Sequence, residues 1–212
     1  MLLTEFDANR QAIINPEALH EPLEGFPKIA VSCFSRLTFQ RMLEMFPHEL
    51  IYETSMANVA IPIYKLVIDD NELAIFNAPV GASACVGILE DIFVLGADKL
   101  VLFGTCGVLD EDIKETSIII PSHALRDEGT SFHYVEASDE IAVNVGVLDH
   151  FRSYLNERQI SHKEGKVWTT DGIYRETNGK LKARKAAGAI CVDMECSAVA
   201  ALAKFRGVDI CH

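Results

Sequence analysis

The chain has 212 residues, 49% of them hydrophobic, and a formal net charge of −12 at pH 7. That length supports one substantial core and predicts a single domain over residues 1–212. The acidic balance argues against nucleic acid as the main partner, since a phosphate backbone calls for a basic face. No apolar run reaches the roughly 20 residues of a membrane helix, so no membrane partner is expected. The opening MLLTEFDANRQ lacks the basic-then-apolar pattern of a signal peptide. None of the six cysteines forms a CxxC pair, and most lie in apolar runs. They read as reduced core thiols of a cytoplasmic protein, with no metal site implied. Cys106, in a glycine-flanked turn, stands apart.

Residues before Gly25 are mixed in character and are expected to wrap the surface or reach a neighbouring subunit. Lys28 to Phe34 reads as a buried strand. Ser35 is a candidate N-cap for a helix from Arg36 to Phe46, with Leu37, Met42, Leu43 and Phe46 at helical spacing. Ser32, Ser35 and Arg36 at that junction suit an anion, because helix N-termini favour negative charge. Arg36 is equally well read as a solvated first-turn residue. Ile61–Ile68 and Glu72–Val80 read as strands joined by a turn at Asp69-Asp70-Asn71. A helix from Ala84 to Leu95 follows, closed by Gly96.

Leu100 to Phe103 is a short apolar run that stops at Gly104-Thr105-Cys106-Gly107. Such a run predicts a strand buried on both faces. Its glycines let the backbone approach a ligand, and the Thr hydroxyl and free amides can meet an anion or a sugar hydroxyl. A plain exit from strand to loop fits the same residues. Ser117–Pro121 reads as a strand and His123–Val135 as a polar loop of the kind that carries function, with His133 a candidate. Ile141–Leu155 reads as an amphipathic helix, Gly165–Thr170 as a strand, 171–177 as a loop and Gly179–Ala187 as a helix with a solvated basic face. Ala189–Val192 is a strand that runs into Asp193-Met194-Glu195 and an apolar helix from Ala198 to Phe205. Those carboxylates either favour the helix dipole or, for Glu195, accept sugar hydroxyls. Val208–Cys211 reads as a last strand. Strands alternating with helices predict an α/β fold, three layers (α/β/α) around a central mixed, largely twisted sheet.

Four segments together resemble the nucleoside phosphorylase family, which includes purine nucleoside phosphorylase, uridine phosphorylase and the methylthioadenosine nucleosidases. They are Gly104-Thr105-Cys106-Gly107, Glu128 to His133, Thr170 to Tyr174 and Val192 to Glu195. The resemblance implies a phosphorylase-like fold and cleavage of a nucleoside's N-glycosidic bond by phosphate, giving base and ribose 1-phosphate. It implies no cofactor beyond phosphate as co-substrate, and a homodimer or hexamer. Residue by residue it implies phosphate contacts from Arg36, Ser32 and Thr105, ribose contacts from Met194, Glu195 and His133, and base contacts from Cys106, Gly107, Ile173 and Val192. Thr-Cys-Gly is more like the purine enzymes, as is the lack of the Gln-x-Arg element that reads uracil.

Two departures accompany the resemblance. Of the family's first phosphate loop, Gly-Asp-Pro-x-Arg, only Arg36 remains in Ser32-Cys33-Phe34-Ser35-Arg36, and Leu102 stands where a second phosphate-binding Arg is found. An apolar Leu cannot pair with a dianion. Hydrolysis, with water as nucleophile, is therefore the alternative activity. The general-acid Asp of the purine enzymes is expected beyond His212, with the family's C-terminal strand end and helix. A degenerate nucleoside-binding member is the third reading.

Overall fold

The computed structural model describes residues 2–114 and 117–212. The chain packs as two compact units, one of residues 8–104 and one of residues 1–7 with 105–212. Each holds its own run of hydrogen-bonded strands with helices.

The unit 8–104 contains β1 (Ile29–Cys33), α1 (Arg36–Met45), β2 (His48–Met56), β3 (Val59–Ile68), β4 (Asn71–Asn77), α2 (Ala82–Leu95) and β5 (Lys99–Phe103). Within it the strands run β5-β1-β4-β3-β2, parallel from β5 to β4 and antiparallel from β4 to β2. Ser35 caps α1 as expected, its Oγ accepting from Thr38 N at 3.2 Å. Asp69 and Asp70 both take positive φ, 49° and 63°. That is the geometry a two-residue hairpin loop needs, and short acidic side chains tolerate it. Cys33, Leu66 and Ile75 of the sheet pack with Phe39 into a core that Met42, Leu43 and Phe46 complete. Helix α2 buries Cys85, Val86, Ile88, Leu89, Ile92 and Leu95.

One strand of this unit is new and one reading changes. Strand β2 carries no expectation from the sequence, because a register shift between Leu50 and Tyr52 breaks its two-residue period. Strand β5 is buried on one face only. Leu100 and Leu102 are enclosed, whereas Val101 and Phe103 are 38% and 40% exposed.

The second unit contains β6 (Gly107–Val108), β7 (Ile118–Asp127), β8 (Glu140–Ala142), α3 (Leu148–Glu157), β9 (His162–Thr170), α4 (Asn178–Ala186), β10 (Ala189–Asp193), α5 (Cys196–Arg206) and β11 (Asp209–Cys211). Its sheet runs β6-β10-β9-β7-β8, with β10, β9 and β7 parallel and both edges antiparallel. Two mixed sheets with helices are the α/β class that the sequence predicts. Helix α5 is buried on nearly every side from Cys196 to Leu202, which explains its lack of a polar stripe.

The first five residues of the expected loop 123–135 are strand. His123–Asp127 continues β7, paired with β9 along its length. The expected helix 141–155 begins only at Leu148, since Asn144 and Gly146 take positive φ, 57° and 85°. The basic face of α4 is not merely solvated: Lys180 and Arg184 reach the Asp127 carboxylate at 3.1 and 3.3 Å. No helix among the described residues is long and apolar enough to cross a membrane.

Candidate active site

The parallel strands β7, β9 and β10 place three of the four motif segments at their carboxyl ends. In open α/β sheets that rim is where ligands bind. The loop 128–133 follows β7, the loop 171–177 follows β9, and Met194-Glu195 follows β10. The fourth segment joins them through β6, whose Gly107 lies opposite Val192 in the antiparallel ladder. On its other side Val192 pairs with Trp168 of β9. Gly107 suits this contact because a Cβ there would stand 2.8 Å from Val192 Cγ1, and one of the two would have to shift.

A chain of hydrogen bonds fixes this rim from below. Arg126, 7% exposed, donates from Nε to Ser131 Oγ at 2.9 Å and from Nη1 to Glu136 O at 2.7 Å and Ser138 Oγ at 2.9 Å. Its guanidinium also lies 4.1 Å above the centre of the Phe132 ring. Buried Glu128 accepts from Ser131 N at 2.9 Å and from Ser197 Oγ at 2.8 Å. Ser197 N donates to Thr169 Oγ1 at 3.1 Å, and Thr169 Oγ1 donates to Asp193 Oδ1 at 2.7 Å. Asp193 Oδ2 accepts from Cys196 N at 2.8 Å, closing the first turn of α5. Asp171 Oδ2 accepts from Gly129 N at 3.0 Å and so ties the loop after β9 to the loop after β7.

The electrostatics follow from this packing. Lost hydration pushes the Asp193 carboxyl up to about 7, against the Thr169 hydroxyl bond, and the nearby Glu195 charge adds to the rise. Hydrogen bonding to Cys191 holds the Cys106 thiol below its ordinary value and pushes Cys191 up. Desolvation lowers the Arg126 guanidinium, and the Glu128 charge opposes that fall.

The sequence-derived residues are distributed as follows. Cys106, Gly107, Val192, Met194 and Glu195 come together at the end of β10. Glu195 is 5% exposed and Val192 7%, while Met194 and Cys106 are half-buried and Thr105 is exposed. His133 ends a 3-10 turn, Thr130–His133, and is exposed. Ile173 opens another such turn and is 55% exposed. In the unit 8–104, Arg36 is exposed at the first turn of α1. Ser32 is buried there, its Oγ donating to Phe76 O at 2.8 Å and accepting from Ala78 N at 3.1 Å. Leu102 is 1% exposed. Sequence reasoning missed Arg126, Thr169 and Ser197 as builders of the rim. A charged residue inside the strand-like run ALRD was the available signal for Arg126.

A buried carboxylate just past the carboxyl end of a parallel strand, as Glu195 is, can hold a polyhydroxyl ligand through charge-assisted hydrogen bonds. Comparison with known proteins places the chain in a family. The model of the phosphorylase superfamily matches residues 28–211. A guanosine phosphorylase of Halorubrum lacusprofundi is 23% identical over 148 residues, 68% of this chain and 61% of the relative. A DeoD-type purine nucleoside phosphorylase of Brevibacillus brevis is 30% identical over 109 residues, 51% of this chain and 46% of the relative. The chain thus spans between about half and three-fifths of the length of these curated relatives. Among solved structures, a uridine phosphorylase of Vibrio fischeri has a TM-score of 0.79 at 19% identity, over 94% of this chain and 83% of that one. A purine nucleoside phosphorylase of Toxoplasma gondii, in complex with immucillin-H, has a TM-score of 0.77 at 19% identity, over 89% and 75%. The match across nearly the whole chain and the shared fold make this protein a member of the phosphorylase superfamily.

Proposed function

We propose that the chain cleaves the N-glycosidic bond of a purine nucleoside with inorganic phosphate. A phosphate oxygen bonds to the anomeric carbon as the carbon–nitrogen bond breaks. The electron pair leaves with the base, which takes up a proton, and the products are free base and ribose 1-phosphate. The observation that carries this reading is the buried Glu195 at the carboxyl end of β10, in a chain of this family. Its carboxylate accepts the 2′ and 3′ hydroxyls and, with Met194 and His133, orients the sugar. Cys106, Gly107, Val192 and Ile173 form the wall for the base. Thr105 is the phosphate contact on this rim. The Ser32 hydroxyl is engaged within its sheet, so its part is to fix the backbone that leads to α1.

The relatives named purine nucleoside and guanosine phosphorylase support the purine preference. A reducing, cytoplasmic setting is supported by six free cysteines. A homo-oligomer is the assembly that the family resemblance implies, and light scattering tests it.

Release of free base from inosine, guanosine, adenosine and uridine, with and without phosphate, tests the activity. Phosphate-dependent release from the purine nucleosides is the expected result. Phosphate-independent release selects hydrolysis, which buried Leu102 favours because it leaves no guanidinium at that position. Binding of inosine without turnover selects a nucleoside-binding role instead.

A further inference from the structure

Three residues that no reading above uses as a set meet at one point of the second unit. Asp193 closes β10, Cys196 opens α5 and His212 follows β11. One carboxylate oxygen, one sulfur and one imidazole nitrogen of these residues lie within 4.8 Å of one another. We propose that Asp193, Cys196 and His212 form a zinc site, with a water molecule completing a tetrahedral shell.

The donor set chooses the metal. A sulfur and a nitrogen exclude magnesium and calcium, which take oxygen ligands, and suit a borderline divalent cation. Three protein ligands with one further position is a recurrent zinc arrangement. At zinc–sulfur and zinc–nitrogen bonds of about 2.3 and 2.1 Å, tetrahedral donors stand about 3.3–3.6 Å apart. The cluster therefore closes by at most about 1.5 Å around the ion. Cys196 releases its thiol proton to solvent as it ligates.

The surroundings are those of a held site. The Thr169 hydroxyl and the Cys196 amide orient the Asp193 carboxylate, at 2.7 and 2.8 Å. Outer partners of this kind fix ligand geometry at metal centres. Asn144 grips the backbone of His212 from both sides. Its Nδ2 donates to His212 O at 3.0 Å, and its Oδ1 accepts from His212 N at 2.6 Å. The same Nδ2 also donates to Pro121 O at 2.9 Å, so residue 212 is anchored to β7. Cys196 is 1% exposed, but Asp193 and His212 are half-buried. The Cys106 and Cys191 thiols are hydrogen-bonded to one another, and Cys196 is the sulfur that lies with Asp193 and His212.

The test uses the whole chain, stripped with a chelator and titrated with Zn²⁺ against a chromophoric competitor. One equivalent is expected to bind. Cys196→Ser and His212→Gln should each weaken binding about tenfold or more. Cys211→Ser, which alters a half-buried thiol outside the trio, should leave it unchanged. Co²⁺ in place of Zn²⁺ should add a thiolate-to-metal charge-transfer band that Cys196→Ser abolishes. If that variant does not fold, His212→Gln at the half-buried end of β11 decides the matter alone. No uptake of Zn²⁺ by the unmodified chain, or unchanged affinity in His212→Gln, overturns the site.

Discussion

Gly107 and Val192 approach so closely that even a single methyl group between them would sit 2.8 Å from Val192 Cγ1. The contact seats β6 on β10 and brings Thr105 and Cys106 to the rim that Glu195 also lines. Gly107→Ala should lower stability by about 1–3 kcal/mol, the usual cost of overpacking. Val192→Ala in the same chain should recover most of that loss. Urea unfolding of the two single variants and the double variant checks it, and strict additivity would remove the close contact as the cause.

Glu195→Gln keeps the shape of the side chain and removes its charge. Two charge-assisted hydrogen bonds to a sugar, at about 1.5–3 kcal/mol each, correspond to a fall in nucleoside turnover of about 10²–10⁴-fold. The circular dichroism spectrum should be unchanged. Turnover within a factor of two of the unmodified chain would end the assignment of Glu195 to the sugar.

Arg126 donates to four residues of the loop that follows it, Ser131, Val135, Glu136 and Ser138. Arg126→Ala strands the Ser131 and Ser138 hydroxyls and the Glu136 carbonyl it serves, and a buried polar group left unpaired typically costs about 1–3 kcal/mol. Arg126→Lys keeps the charge but loses the planar fork, so it should recover only part of the loss. Chemical denaturation distinguishes the two variants. A fully restored Lys variant would assign the effect to charge alone.

Asp127 accepts from Trp168 Nε1 at 2.9 Å and is flanked by Lys180 and Arg184. Burial alone would raise its carboxyl, but Lys180, Trp168 and Arg184 together outweigh burial and lower it. A carboxylate depressed by folding stabilises the fold above its unfolded value of about 3.9, and that contribution disappears as pH falls through the folded value. Asp127→Asn should therefore be less stable than the unmodified chain at pH 7. The difference should narrow as the pH is lowered below about 4. Urea midpoints measured from neutral to acid pH report it, and a constant difference would contradict the ion pairs.

Much of the fold is legible where sequence and local geometry agree. Ser35 announces α1, the Asp69-Asp70 pair announces the hairpin, and Gly96 ends α2. Legibility fails where tertiary structure overrides the local pattern. β2 is bulged and lies at a sheet edge, so its alternation is blurred. His123–Asp127 looks like loop because its polar residues find partners inside the protein, Arg126 above all. Asn144 breaks an apparently continuous helix because its side chain is needed to bridge Pro121 and His212. The candidate site was readable as four motifs, since each lies just past a strand. The partners beneath it were not, because Glu128 and Ser197 are 69 residues apart and meet only through the sheet. The same holds for Asp193, Cys196 and His212, whose spacing matches no compact metal motif.

The line of hydrogen bonds from Arg126 through Ser131, Glu128, Ser197 and Thr169 to Asp193 has a thermodynamic consequence for any ligand of the rim. The loop after β7 and the start of α5 are ordered as one piece when the chain folds. Their conformational entropy is lost at that stage, and a ligand arriving later does not have to supply it. Binding at the rim should then show a small ordering entropy, with affinity set by contacts to the ligand itself. A single break in the line, such as Ser197→Ala, would return that cost to the binding step while leaving every ligand-facing side chain in place.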